Sequence, residues 1–157
     1  MPDMNYLASY MQQLAVKIPD FGNQVAKDVA SAILSDLTQV TPIDVGEAVS
    51  NWQVTVGSAA ISRLPAFVPS PKGRVKDKVW IHRVDPAITA QANIPFIMQA
   101  GQAVLSKKKP GETVFIANNA PHIVDLDQGS STQAPQGFVD RAIVLGIQIV
   151  GNARLKP

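Results

Sequence analysis

The chain has 157 residues and no cysteine. Disulfides, thiolate metal sites and a cysteine nucleophile are thereby excluded, and the composition leans towards a protein made in the cytoplasm. Histidine is scarce, with only His82 and His122. There is no run of 18 apolar residues, so no membrane-spanning helix and no membrane partner is expected. The first basic residue is Lys17 and an acid stands at Asp3. That is not the basic-then-apolar order of a signal peptide, and none is expected. No glycine-rich loop opens a helix to cradle phosphate. No G-x-S-x-G elbow presents a serine. Neither sign of charge dominates: 14 Lys and Arg against 12 Asp and Glu leave +2. Nothing global therefore draws the chain to a polyanion.

Proline, by contrast, is plentiful at 12 residues, and it punctuates the chain. Asp3 caps an expected first helix to about Lys17, and Ile18–Pro19 interrupts it, because a residue before proline is pushed out of the helical region. A second helix restarts at Pro19. Phe21, Val25, Val29, Ile33 and Leu37 recur every four residues and give it one apolar face. Thr41–Pro42 stops it. Trp52, Val54 and Val56 then alternate with polar residues, as in a strand with one buried face. Residues 58 to 77 lose all period, and Lys78 to Val84 reads as another strand, so 58–84 forms an extended arm. Asp85–Pro86 starts a helix to about Ser106, kinked or restarted at Pro95. Lys107 to Lys109 suit its C-terminal dipole. Thr113 to Ala117 is a further strand. Asn119 and Pro121 open a short helical turn that Gly129 closes. Pro135 leads into a last helix from Phe138 to Arg154, although Ile143 to Val150 is β-branched enough to pass for a buried strand. The fold expected is α+β: one domain over 1–157, with a small, mostly antiparallel sheet of three to four strands packed against helices.

Chemistry-bearing patterns are weak. His122, Asp125 and Asp127 offer at most three metal ligands, and their spacing does not share one helical face. An exposed turn histidine near capping acids is the preferred reading, and no metal or cofactor is expected. Ser130 and Ser131 are ordinary loop serines. No paired carboxylates stand in an apolar pattern. No enzyme is expected. A basic cluster at Lys72, Arg74 and Lys76, continued by Lys78 and Arg83, and a second at Lys107, Lys108 and Lys109, could meet DNA in a channel without reading its sequence. A solvated loop and a dipole-matched helix end account for the same residues. The apolar Ile61, Leu64, Phe67 and Val68 are too many for a solvated loop, and the last helix is apolar nearly all round. Phe138, Leu145 and Ile149 on that helix join those four as an expected subunit interface.

Two blocks carry a resemblance. The first is TPIDVGEAVSNWQV, with Thr41, Pro42, Asp44, Gly46 and Trp52. The second is VFIANNAPHIVDLDQGSSTQAPQGFV, with Asn118, Asn119, Ala120, Pro121, Gly129, Ala134, Pro135 and Gly137. Together, in this order and spacing, they resemble a family of tail components of tailed bacteriophages, the small head–tail connector, neck and tail-completion proteins. Val45, Glu47, His122 and Asp127 depart from that pattern. The resemblance implies a virion protein assembled in the bacterial host cytoplasm. It implies a ring homo-oligomer at the head–tail junction that contacts neighbouring neck and tail proteins. A tail terminator ring capping the tail tube is the alternative within the class, and a non-specific DNA-binding module using the basic arm is the alternative outside it. On the residues alone, Thr41–Pro42, an Asx-turn from Asp44 to Gly46 and a positive φ at Gly46 would make a stiff elbow between helix and sheet.

Overall fold

A computed structural model describes residues 4–43, 46–66 and 90–155. Its elements in chain order are α1 (Met4–Val40), α2 (Glu47–Ser50), β1 (Trp52–Val56), α3 (Ala90–Lys107), β2 (Val114–Asn118), α4 (Ile123–Asp127) and α5 (Phe138–Asn152). The class is α+β. Among the described residues the sheet has two strands rather than three or four. The strand expected at 78–84 and the helix start at Asp85–Pro86 lie outside those residues.

Helix α1 is the spine, and it corrects the expected break at Pro19. One helix of 37 residues runs through that proline. Proline forfeits the bond to the carbonyl four residues back, and its ring crowds that carbonyl. That carbonyl belongs to Ala15, which is exposed, so water can take the missing donor's place. Helix α3 likewise runs through a proline, Pro95, which is itself exposed.

The core forms on the second half of α1, where Ala30, Leu34 and Leu37 are buried. Strands β1 and β2 pair antiparallel, with Trp52 opposite Asn118, Val54 opposite Ile116 and Val56 opposite Val114. The period of two puts Trp52 and Val54 in the core and leaves Gln53 and Thr55 less covered. Helix α3 lies over both α1 and β1, and a glycine sets how close it comes. A Cβ at Gly101 would stand 2.5 Å from Leu34 Cδ2 and 3.3 Å from Val54 Cγ2. Helix α5 packs on α1 through a second such contact. A Cβ at Gly146 would stand 2.8 Å from Ile33 Cδ1 and 3.1 Å from Val29 Cγ1. Arg141, earlier on α5, reaches Asp36, later on α1, at 2.9 Å, so the two helices run antiparallel. The β-branched run 143–150 is helical, as its length and the lead-in at Pro135 predict.

Candidate functional site: a buried joint and exposed apolar helix faces

The joint begins where α1 ends. Thr41 Oγ1 donates to the Leu37 carbonyl at 2.5 Å and accepts from Trp52 Nε1 at 2.8 Å. Both residues are buried, so this hydroxyl ties the last turn of α1 to the first residue of β1. Pro42 is buried beside it. Gly46 has φ 78, the positive angle expected, and leads into α2, a short helix with no counterpart among the elements predicted from the sequence. Ser50 Oγ turns back to the Gly46 carbonyl at 2.6 Å. Asp44 and its proposed turn lie outside the described residues.

Three asparagines bolt further segments onto this corner. Asn51 is fully buried. Its amide donates to the carbonyls of Glu47 and Leu64, both at 2.9 Å, and its oxygen accepts from Leu64 N at 2.7 Å. Asn118 donates to the Ala48 carbonyl at 2.7 Å and accepts from Ala120 N at 3.0 Å, an Asx-turn that bends the chain out of β2. Asn119 donates to the carbonyls of Ala60 and Ser62 at 3.0 and 3.2 Å. Arg63 forms an ion pair with Glu47. The described part of the arm, residues 58–66, is thus held to the corner by side-chain bonds.

The second block closes on the same joint. Gly129, at φ 94, ends α4 with two bonds, Gly129 N to Leu126 O at 3.2 Å and Ser130 N to Asp125 O at 3.0 Å. That is the paired bonding of a left-handed helix cap. Ala134 is buried, and Gln133 Oε1 accepts from Ile43 N at 3.1 Å, which returns the loop before α5 to the corner. Gly137 takes φ 73, and its N–H meets the Asp127 carbonyl at 2.7 Å. The Asp127 carboxylate accepts from Val139 N at 2.9 Å and so serves a free donor at the start of α5. Pro121 and Pro135 stay exposed at turns. Among the described residues, every buried side-chain nitrogen and oxygen has a partner.

Several expected roles change. Phe138 is fully buried in the subunit's own core, so it cannot serve a neighbour, and Leu145 and Ile149 are half-buried. The exposed apolar residues of α5 are instead Ile143, Val144, Ile147 and Val150. On the arm, Ile61 is 93% exposed and Leu64 half-buried, while Phe67 and Val68 lie outside the described residues. Lys108 is not a cation offered to DNA. It is 5% exposed, and its ammonium donates to Asn23 Oδ1 at 2.6 Å and to the Lys109 carbonyl at 3.1 Å. Lys107 and Lys109 are exposed, and Lys72, Arg74 and Lys76 fall outside the described residues.

His122 sits exposed at the start of α4, and His82 falls outside the described residues. Among the described residues no group of three or more His, Asp or Glu stands close enough to hold a metal ion. No helix there is long and apolar enough to cross a membrane. The arrangement fixes angles between elements and offers apolar surface. Comparison of the chain with protein-family models, with curated proteins and with solved structures finds no match.

Proposed function

We propose that this protein is a structural component of a phage virion, a homo-oligomeric ring at the head–tail junction that joins head to tail. One observation carries the reading. The two blocks that resemble tail-completion proteins lie some 70 positions apart in the chain and meet at one corner, through a part-buried bond from Asn118 to the Ala48 carbonyl and an exposed one from Ile43 N to Gln133. A joint of polar bonds with no unsatisfied member has one geometry, and a ring needs one geometry. Angular errors between subunits accumulate around a closed assembly. Its role in this reading is mechanical rather than catalytic. The arm reaches a neighbouring subunit or ring, and the assembled protein resides in the virion after assembly in the bacterial cytoplasm.

The test is loss of the gene in the phage that carries it, followed by electron microscopy of the lysate. Filled heads and separate tails of normal length are expected. Tails of uncontrolled length would assign the chain to the tail terminator ring instead. Normal joined particles would remove the virion role altogether.

A further inference from the structure

The first half of α1 extends from the rest of the protein with an apolar seam that nothing described covers. Met4 is 77% exposed, Leu7 50%, Met11 59% and Ile18 55%, with Leu14 half-buried between them. Their spacing is 3, 4, 3, 4, the alternation by which one helix presents a continuous strip to another. A solvated helix face would carry charge, yet residues 4–16 carry none. The strip also continues an existing contact. Traced towards the start of α1 from Ile33 and Val29, which meet α5 at Gly146, the same face passes residues 25 and 22 and arrives at Ile18. Helix α5 ends at Asn152, so the face outruns its partner within the chain.

A second unpartnered face stands on α5 itself. Ile143, Ile147 and Val150 are 48%, 65% and 55% exposed at spacings of 4 and 3, and residues 142–153 carry no charge. Helix α5 is about 22 Å long and the stretch 4–20 of α1 about 25 Å, at 1.5 Å per residue. Laid antiparallel, as α1 and α5 already lie within one chain, Leu14 falls opposite Ile143, Met11 opposite Ile147 and Leu7 opposite Val150. Lys17 then comes beside Asp140, both exposed, so the charges that border the two strips also match. A parallel arrangement would set Lys17 beside Arg154.

We propose that residues 4–18 of α1 dock antiparallel on the outer face of α5 of a second copy of this chain, head to tail. Such a contact is heterologous: each subunit gives one face and receives the other, which generates a closed ring when the rotation closes. The inference rests on the reading that copies of this chain assemble, but not on the virion.

The absence of native cysteine makes the test direct. Full-length protein carrying M11C and I147C together is oxidised and run on a non-reducing gel. Within one chain the two sites cannot join. Residue 11 lies 18 residues from Val29, about 27 Å along the helix, whereas a disulfide needs Cα atoms within about 7 Å. The expected result is a ladder of covalent multimers that collapses to one band with reductant. An equimolar mixture of the M11C and I147C single variants should yield dimers and nothing larger. A double variant that stays monomeric on the gel overturns the proposal. So does a dimer from M11C alone, which would mean symmetric pairing of α1, or from I147C alone, which would mean symmetric pairing of α5. A second measurement uses light scattering on M11E and I147K, both at exposed sites. Each should fall to monomer mass where the unaltered protein is a multimer, and an unaltered protein that is itself monomeric refutes the docking. A chain that assembles this way, yet whose loss leaves heads joined to tails, keeps this interface and removes only the virion role.

Discussion

Replacing Thr41 by valine keeps shape and removes one hydroxyl, and the structure says which partner suffers. The Leu37 carbonyl does not, because Thr41 N also donates to it at 3.0 Å. Trp52 Nε1 does. It is held at 2.8 Å by that hydroxyl alone among the bonds seen, in a residue only 7% exposed. A buried donor left without a partner costs about 1–3 kcal/mol. At about 2–4 °C per kcal/mol for a domain of this size, Thr41→Val should lower Tm by about 2–12 °C. Thr41→Ser keeps both bonds and loses one methyl, worth about 0.8 kcal/mol. The assay is a urea or thermal melt of each variant at one protein concentration, because assembly would move the midpoint. Trp52→Phe completes a double-mutant cycle. Phenylalanine removes the donor, so it should cost about 1 kcal/mol less in the Thr41→Val background than in the protein that keeps Thr41. Equal damage from serine and valine, or costs that simply add, would refute the hydroxyl's role in the joint.

Three further substitutions test the packing and the joint. Gly101→Ala should destabilise, because a Cβ 2.5 Å from Leu34 Cδ2 forces repacking, at about 1–3 kcal/mol against about 1 kcal/mol gained in helix propensity. Gly22→Ala, with nothing within 4 Å of the new methyl, should instead stabilise; melts of opposite sign are expected, and a shared sign counts against the close approach of α3. Asn51→Ala should cost about 1–3 kcal/mol by leaving the Leu64 and Glu47 backbone groups unpaired. It should also speed proteolytic cleavage at 58–66, while unchanged cleavage would mean that Asn51 does not hold the arm.

The long periodic features are legible in the sequence, and what depends on burial is not. Phe21 to Leu37 announce the buried half of α1, and the alternation from Trp52 announces β1, because those patterns report which face is covered. Pro19 misleads, because a rule about backbone clash says nothing of whether water can reach the orphaned carbonyl. By residue type alone, Phe138 is an aromatic on an apolar helix and Lys108 a lysine in a basic triplet. Each is decided by a partner far away in sequence, Lys108 by Asn23, 85 positions back. Helix α2 has only four residues, too few for any period to show. The asparagines of the second block do carry a signal, since Asn–Asn–Ala–Pro promises an Asx-turn. That Asn118 and Asn119 also grip the corner and the arm cannot be read locally.

The two kinds of surface divide the work of an assembling subunit. Inside, specificity comes from hydrogen bonds, which fail steeply with distance and angle. Thr41, Asn51 and Asn118 therefore hold α1, the arm and β2 at set angles. Outside, the exposed faces of α1 and α5 are apolar and uncharged, and apolar contact is strong in sum but indifferent to small slips. A contact of that kind transmits an angle only if the elements that bear it cannot turn. The buried joint lies at the C-terminal end of α1 and beside the N-terminus of α5, and it anchors both helices whose outer faces remain open. The polar joint thus fixes the direction in which the apolar faces meet a neighbour, and loosening it should widen the range of assembled sizes before it abolishes assembly.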